Sequence, residues 1–263
     1  MENSVRDFYG LASMPFSKLL SPQNAFPTVD FKEACAKLTF GIDNEDFLLL
    51  TGPVGVGKSV VLNALLHDID TTRYIPIYIR GNGLSEGELY KGILAGLDRE
   101  PPRYTQSAKR MFFSVVPTLT RKPIVAIDDA QEMKDSAMLS LKTLANFDTD
   151  SQNKITFILC GQPELKAQLK LAQFLPLTQR IRIFFHMKPM PLKETIGYID
   201  QQTTKAGCLT PLFSDSAKVD IHRYADGVAR VVNMCCYRSL INAAIKKVKI
   251  IDSSDVFFEK PAE

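Results

Sequence analysis

The chain lacks tryptophan altogether, and its 263 residues include only three histidines and five cysteines. The histidines, at positions 67, 186 and 222, show neither metal-ligand nor catalytic spacing, which argues against a zinc site and against a hydrolase triad. The cysteines show no C-x-x-C spacing, so neither a metal site nor a disulfide framework is indicated. We therefore expect a reducing, cytoplasmic environment.

Long apolar runs and a strong charge imbalance are missing as well. No uninterrupted apolar stretch approaches 18 residues, and residues 1–7 lack a basic region followed by an apolar run. We therefore expect neither a membrane-spanning segment nor an export signal. The net charge of +3 permits a nucleic-acid-binding face without requiring one.

The most informative motif that is present follows the apolar run 47–50 and has the pattern G-x-x-x-x-G-K-[ST]. In this strand–loop–helix setting, backbone N–H groups wrap a polyphosphate at the start of a helix, whose dipole favours negative charge. Lys58 is expected to reach the β- and γ-phosphates of ATP, and Ser59 to ligate Mg²⁺. The alternative is a glycine turn that matches by chance. The predicted nucleotide-binding residues are Gly52, Pro53, Val54, Gly55, Val56, Gly57, Lys58, Ser59 and Val60.

Apolar strands alternate with helical patterns through the first two thirds of the chain. Strands are predicted at 74–79, 124–127 and 155–159, and helices at 85–97, 106–119 and 136–147. Continuous apolar strands separated by helices predict a parallel sheet covered on both faces, which is an α/β fold of the P-loop NTPase kind.

The character of the chain changes near residue 189. Three helical patterns follow, at 193–206, 214–224 and 229–248, with no strong strand among them. We therefore predict a small all-helical lid domain. The predicted domains are an N-terminal segment and helix that pack on the nucleotide site (1–44), an α/β ATPase core (45–188) and the helical lid (189–263).

Two adjacent acids end the apolar strand that begins at Ile124. Asp128, at the end of a buried strand, is placed to hold Mg²⁺ through its waters opposite Ser59. Asp129 projects from the same strand end and is the candidate general base for the attacking water. The alternative for Asp129 is an acidic cap for the segment that follows.

Three further polar residues are candidates for the same reaction. Gln162 follows the next strand and is expected to orient the lytic water, although it is equally well a turn residue before a helix that begins at Pro163. Arg180, or its neighbour Arg182, is a candidate arginine finger that acts in the next subunit, the alternative being a surface ion pair. Arg230 is a candidate to contact the γ-phosphate from the longest lid helix.

Taken together, these positions resemble the AAA+ ATPases. The resemblance is narrower to the branch that contains the secretion-pathway A (ExeA-like) ATPases and the transposition regulators of the TnsC and MuB kind. It implies that the N-terminal segment from Tyr9 to Phe16 lies near the adenine, that Arg180 acts in trans and that Arg230 acts in cis. The matching segments are 9–11 with 15–16, 52–59, 127–131, 161–165, 179–181 and 227–233.

One residue departs from the family pattern. The family usually has Glu after the magnesium-binding Asp, whereas this chain has Asp129, which is shorter by one methylene. Because small misplacements of a catalytic group can cost orders of magnitude in rate, we expect slow hydrolysis that serves as a switch.

The resemblance implies an ATP-dependent regulator of DNA transposition. Its subunits would assemble on duplex DNA as a ring or a helical filament and recruit a transposase, with or without a targeting adaptor. Basic side chains would contact phosphates without sequence choice, the alternative being solvated helix faces. The candidates are Lys91, Arg103, Lys109, Arg110, Arg121 and Lys122, and a second cluster at Lys246, Lys247 and Lys249 serves DNA, a partner or solubility.

Two other roles remain open. Secretion-pathway ATPases that act in envelope assembly generally continue into a membrane span and a peptidoglycan-binding domain, and neither occurs before Glu263. On that ground we expect the DNA role rather than the secretion role. The third role is a nucleotide-binding scaffold that hardly hydrolyses ATP. This role remains open because Asp129 is shorter than the glutamate that the family usually has.

Overall fold

The computed structural model of the chain describes residues 2–17, 26–45, 47–145, 154–208 and 210–258. Within these ranges the strands are β1 (Phe47–Thr51), β2 (Tyr74–Arg80), β3 (Lys122–Asp128), β4 (Thr156–Gly161) and β5 (Ile181–His186). The helices are α1 (Glu2–Tyr9), α2 (Val29–Asn44), α3 (Lys58–Asp68), α4 (Glu86–Gly96), α5 (Thr105–Val115), α6 (Asp135–Leu144), α7 (Pro163–Gln168), α8 (Leu175–Thr178), α9 (Leu192–Lys205), α10 (Asp215–Ala225) and α11 (Ala229–Ile245).

Contacts divide the chain into two compact units. The sheet unit comprises Val29–Pro53 and Lys58–Met187, and the helical unit comprises Met1–Thr28, Val54–Gly57 and Lys188–Glu263. The segment 1–44 therefore contributes to both units, with α1 in the helical unit and α2 in the sheet unit.

The five strands form one sheet in the order β2-β3-β4-β1-β5, and every neighbouring pair is parallel. Strands β1 and β4 are buried along their whole length, and β3 is buried from its second residue. This confirms the α/β fold with a parallel sheet that the continuous apolar runs predict. Strand β5 was not expected. It forms an edge of the sheet and alternates half-buried with exposed residues, so it lacks the continuous apolar run by which the inner strands are recognised.

The predicted helices are present, with small differences at their ends. Helix α4 begins where expected because the Ser85 hydroxyl and the Glu88 carboxylate cap each other's backbone N–H groups. The predicted helix 106–119 is α5 followed by a 3-10 turn, Val116–Thr118. The predicted end of the helix at 136–147 lies outside the described residues. Helix α11 ends at Ile245 rather than 248, and Lys247 has a left-handed backbone conformation that a helix cannot continue through.

Each unit has its own apolar core. In the sheet unit, Phe47 of β1 stacks on Phe157 of β4 with ring centroids 5.5 Å apart. In the helical unit, Phe16 and Phe213 meet edge to face, with their ring centroids 6.1 Å apart, among buried residues of α9, α10 and α11. No helix among the described residues is long and apolar enough to cross a membrane.

Candidate nucleotide site

The loop after β1 folds around its own lysine. Gly55 and Gly57 have φ angles of +82° and +109°, which residues with a Cβ rarely adopt. Lys58, the first residue of α3, is buried, and its ammonium group donates hydrogen bonds to the carbonyl oxygens of Gly52 (2.8 Å) and Pro53 (2.9 Å). These bonds hold the positive charge against the loop backbone.

The same loop offers groups that fit a polyphosphate and a metal ion. In any α-helix the first N–H groups point toward the N-terminal side and have no acceptor within the helix, and in α3 they belong to Lys58, Ser59 and Val60. The side chain of Ser59 is exposed at this turn, beside the buried ammonium group of Lys58. N–H donors, a lysine and a hydroxyl are the donor set that Mg²⁺–ATP requires of such a loop.

Asp128 ends β3 and is buried, with 4% of its surface exposed. Its Oδ2 accepts a hydrogen bond from the Tyr78 hydroxyl at 2.9 Å, and its Oδ1 accepts one from the backbone N–H of Asp129 at 3.0 Å. Strand β4 lies between β3 and β1, so Asp128 is two strands away from the strand that carries the loop. Burial, and then the charge of Asp128, raise the pKa of Tyr78 to about 12.

Cys160, on β4, is buried and interacts electrostatically with Asp128. Burial, followed by the negative charge of Asp128, raises the pKa of this thiol well above its usual value. Cys160 therefore stays protonated and is a poor nucleophile.

Asp129 differs from Asp128 in its exposure, its backbone conformation and its hydrogen bonds. It is exposed, and its backbone is left-handed, with φ 52° and ψ 42°. It precedes the 3-10 turn Ala130–Glu132, but its side chain makes no capping hydrogen bond to that turn. The carboxylate instead accepts a hydrogen bond from Nε2 of Gln131 at 3.4 Å. The geometry therefore leaves this carboxylate accessible to water.

Gln131 connects the ends of β3 and β4. Its Oε1 accepts a hydrogen bond from the backbone N–H of Gln162 at 3.1 Å, while its Nε2 bonds to Asp129. A Cβ on Gly161 would lie 2.5 Å from this Oε1, so the glycine is required for the contact. The sequence motif includes Gln131 but did not suggest this role. Gln162 is the residue before α7, and its side chain makes no capping hydrogen bond.

The two candidate arginine fingers have different surroundings in the sheet unit. Arg180 is half-buried, and its Nη1 donates to the carbonyl oxygen of Lys142 at 3.4 Å. Arg182 is exposed, and its Nε lies 3.9 Å from Oε2 of Glu45. The alternative to an arginine finger was a surface ion pair. Arg182 fits this alternative better than Arg180 does.

Two expectations concern the helical unit. The backbone N–H of Arg230, in the first turn of α11, donates to the carbonyl oxygen of Gly55 at 3.1 Å, and its side chain is exposed. A Cβ on Gly55 would lie 2.7 Å from the Cβ of Arg230, so this close approach also needs the glycine. Of the N-terminal residues expected near the adenine, Tyr9, Leu11 and Phe16 lie in the core of the helical unit, where the Tyr9 hydroxyl donates to the Val248 carbonyl at 3.0 Å.

The six candidate DNA contacts fall in two places, on or beside α4 and α5 and at the start of β3. Arg103 and Arg110 are exposed. The other four side chains bind within the chain: Lys91 to the Arg103 carbonyl (2.6 Å), Lys109 to Glu86 (3.6 Å), Arg121 to the Thr71 carbonyl (3.0 Å) and Lys122 to the Ile42 carbonyl (2.7 Å). Four of the six candidate side chains are therefore engaged by groups of the same chain, and their contact with DNA stays a prediction.

The sequence is similar to known proteins over most of its length. Residues 42–169, just under half of the chain, match the family described as AAA domain. The chain is also 30% identical over 244 residues to general secretion pathway protein A of Aeromonas hydrophila. That match covers 90% of this chain and 44% of the relative, so the chain spans less than half of the relative's length.

Solved structures share the fold at low sequence identity. Cdc6p of Pyrobaculum aerophilum has a TM-score of 0.71 at 16% identity, over 90% of this chain and 67% of that one. The ORC2 protein of Aeropyrum pernix has a TM-score of 0.68 at 13% identity, over 91% and 69%. The RuvB Holliday junction branch migration motor of Thermotoga maritima has a TM-score of 0.57 at 17% identity, over 88% and 70%. These likenesses show that the chain has a P-loop NTPase fold.

Proposed function

We propose that this chain binds Mg²⁺–ATP at the loop 52–59 and hydrolyses it. The observation that carries the proposal is the pair of carboxylates at the end of β3. Asp128 is buried and accepts a hydrogen bond from Tyr78 of the neighbouring strand, whereas Asp129 is exposed and is linked through Gln131 to the end of β4. One carboxylate suits a metal ion and the other suits a water molecule.

In the proposed reaction, water attacks the γ-phosphorus and the bond between that phosphorus and the bridging oxygen of ADP breaks. Asp129 accepts the proton of the attacking water, and Gln162 orients that water. Lys58 and the N–H groups of the loop stabilise the negative charge on the phosphates. Asp128 and Ser59 hold Mg²⁺, which neutralises phosphate charge when it is bound.

Hydrolysis is proposed to be slow because the base is an aspartate. The Asp129 carboxylate stands one methylene closer to the backbone than a glutamate would, on a residue whose left-handed backbone is fixed by the strand end. Asp129→Glu tests this directly. We expect kcat to rise several-fold with little change in KM, measured as phosphate release; an unchanged or lower kcat would remove the reason for expecting a slow enzyme.

Self-association in the presence of ATP is part of the proposal, with Arg180 acting on the site of the next subunit and Arg230 acting on the site of its own. The half-buried guanidinium of Arg180 is held by a single long hydrogen bond to a main-chain carbonyl, which leaves donors for a phosphate. Arg180→Ala should spare ATP binding by isolated subunits and impair hydrolysis in the oligomer. Equal loss of ATP binding in monomers would contradict a role in trans.

Two cellular roles are proposed for this ATPase. The first is the regulator of DNA transposition, which rests on the sequence resemblance and on the exposed side chains of Arg103 and Arg110. The second is a secretion-pathway ATPase that acts in envelope assembly. It is favoured by the 30% identity to general secretion pathway protein A, and by the internal bonds of Lys91, Lys109, Arg121 and Lys122.

One experiment separates these roles. Purified protein is incubated with a slowly hydrolysed ATP analogue, with and without duplex DNA, and examined by fluorescence anisotropy of labelled DNA and by electron microscopy. Rings or filaments that enclose DNA, weakened in the Arg103→Ala/Arg110→Ala double variant, would support the DNA role. ATP-dependent oligomers that ignore DNA would overturn it and leave the secretion role.

Lys58→Ala serves as the control for nucleotide dependence in that experiment. It should abolish ATP-dependent assembly of either kind. Tight ATP binding and assembly without measurable phosphate release would instead support the third role, a nucleotide-binding scaffold.

A further inference from the structure

Strand β2 carries two tyrosines that each donate a hydrogen bond to an aspartate, at opposite ends of the sheet. The Tyr74 hydroxyl, at the start of the strand, donates to Oδ1 of Asp43. The Tyr78 hydroxyl, near the end of the strand, donates to Oδ2 of Asp128. Strand β2 pairs only with β3 in the described sheet, and yet its second tyrosine reaches the acid proposed to hold the metal ion.

Two donors meet the carboxylate of Asp128, one at each oxygen. The Tyr78 hydroxyl donates to Oδ2 from the neighbouring strand β2, and the backbone N–H of Asp129 donates to Oδ1 from the strand end itself. A carboxylate that is held at both oxygens cannot rotate about its Cβ–Cγ bond without losing a hydrogen bond. Its remaining lone pairs therefore keep one direction.

We propose that Tyr78 is a positioning residue of the metal site, whose hydroxyl fixes the Asp128 carboxylate in the orientation that accepts hydrogen bonds from metal-bound water. This inference rests on the proposed Mg²⁺–ATP function.

The test is a titration of Mg²⁺ into the full chain and a fluorescent ATP analogue, starting from a metal-free solution. Tyr78→Phe keeps the ring and removes the hydroxyl. We expect the Mg²⁺ concentration at half-maximal enhancement of binding to rise about 10-fold, as for other residues that orient a metal ligand, while metal-free binding of the analogue is unchanged. In hydrolysis assays at fixed Mg²⁺, kcat should fall and KM for ATP should change little.

Tyr74→Phe is the matched control, because it removes a hydroxyl-to-carboxylate hydrogen bond from the same strand far from the site. Its Mg²⁺ titration should match that of the unmodified protein even if its melting temperature falls as much as that of Tyr78→Phe. If both variants titrate alike, Tyr78 has a structural role only and the inference is wrong.

A second variant keeps the test decisive if Tyr78→Phe folds poorly. Tyr78→Met also removes the hydroxyl while keeping a large apolar side chain, and it should shift the Mg²⁺ titration by a similar factor. If a folded Tyr78→Met variant titrates like the unmodified protein, the inference is wrong. If the unmodified protein itself shows no Mg²⁺-dependent binding, the proposed function fails rather than this inference.

Discussion

The two ends of the sheet use the same kinds of side chain for different purposes. At the amino end, Lys122 donates to the Ile42 carbonyl and Thr156 donates to the Glu45 carbonyl, so polar groups close the end of α2. At the carboxyl end, the donors converge on the side chain of Asp128, while Asp129 stays exposed beside it.

This difference separates polar groups that complete the fold from those that remain available for chemistry. Main-chain carbonyls at the end of a helix need donors whatever the protein does, and a lysine or threonine there satisfies them. The buried carboxylate of Asp128 closes no helix end, and its two donors fix the direction of its oxygens instead. Substitutions at the two ends of the sheet distinguish these two descriptions.

The largest effect is expected for Asp129→Asn at the carboxyl end. The amide cannot accept the proton of the attacking water, so kcat should fall by roughly 100-fold or more while ATP affinity is kept. Phosphate release under saturating ATP measures the effect. Asp135→Asn, an exposed aspartate in the first turn of α6, is the control and should leave kcat unchanged. Similar rates for both variants would assign the base to another residue.

Lys58→Ala is expected to have the next largest effect. Its ammonium group lies in the nucleotide loop and is held by two carbonyls, so the alanine loses both the phosphate contact and the shape of the loop. ATP affinity should fall by roughly 100-fold, measured by calorimetric titration. Circular dichroism must show that the fold is kept. ATP binding close to that of the unmodified protein would place the nucleotide elsewhere.

At the carboxyl end of the sheet, the sequence alone predicted the features that depend on a local sequence pattern. Each of these features is a continuous stretch of sequence with a recognisable motif or apolar pattern. They are the nucleotide loop, the buried strands β3 and β4, and Asp128 and Asp129 at the end of β3. Tyr78, Cys160 and the role of Gln131 could not be predicted, because they depend on which strands flank β3. That order, with β2 on one side and β4 on the other, is set by tertiary packing and leaves no local signal.

The same reasoning explains what the sequence missed elsewhere. Strand β5 lies at the edge of the sheet and has charged and exposed positions, so it lacks the apolar run that reveals an inner strand. Tyr9 and Phe16 belong to the core of the helical unit, which the sequence did not indicate, while their expected place near the adenine stays a prediction. Burial of an aromatic side chain is decided by the whole unit and not by its neighbours in sequence.

Gln131→Ala is expected to have a moderate effect. It removes the bridge between Asp129 and the backbone of Gln162, so the base should lose a preferred orientation. We expect kcat to fall about 5- to 10-fold, which corresponds to about 1 kcal/mol for one hydrogen bond, with KM for ATP unchanged. Gln173→Ala is the control, because its amide also donates to an aspartate, Asp135, away from the site. If the two variants have equal kcat, Gln131 has a structural role only.

The smallest effect is expected at the amino end, for Lys122→Met. The methionine keeps an apolar stem but loses the donor to the Ile42 carbonyl near the end of α2, so the free energy of unfolding should fall by about 1 kcal/mol, measured in urea. ATP affinity and kcat should not change. Arg110→Met, on the exposed face of α5, should leave stability unchanged, and duplex-DNA affinity, measured for both variants, adds a second readout. If Lys122→Met weakened DNA binding without any loss of stability, Lys122 would be a ligand-binding residue, and the amino end of the sheet could no longer be described as structural.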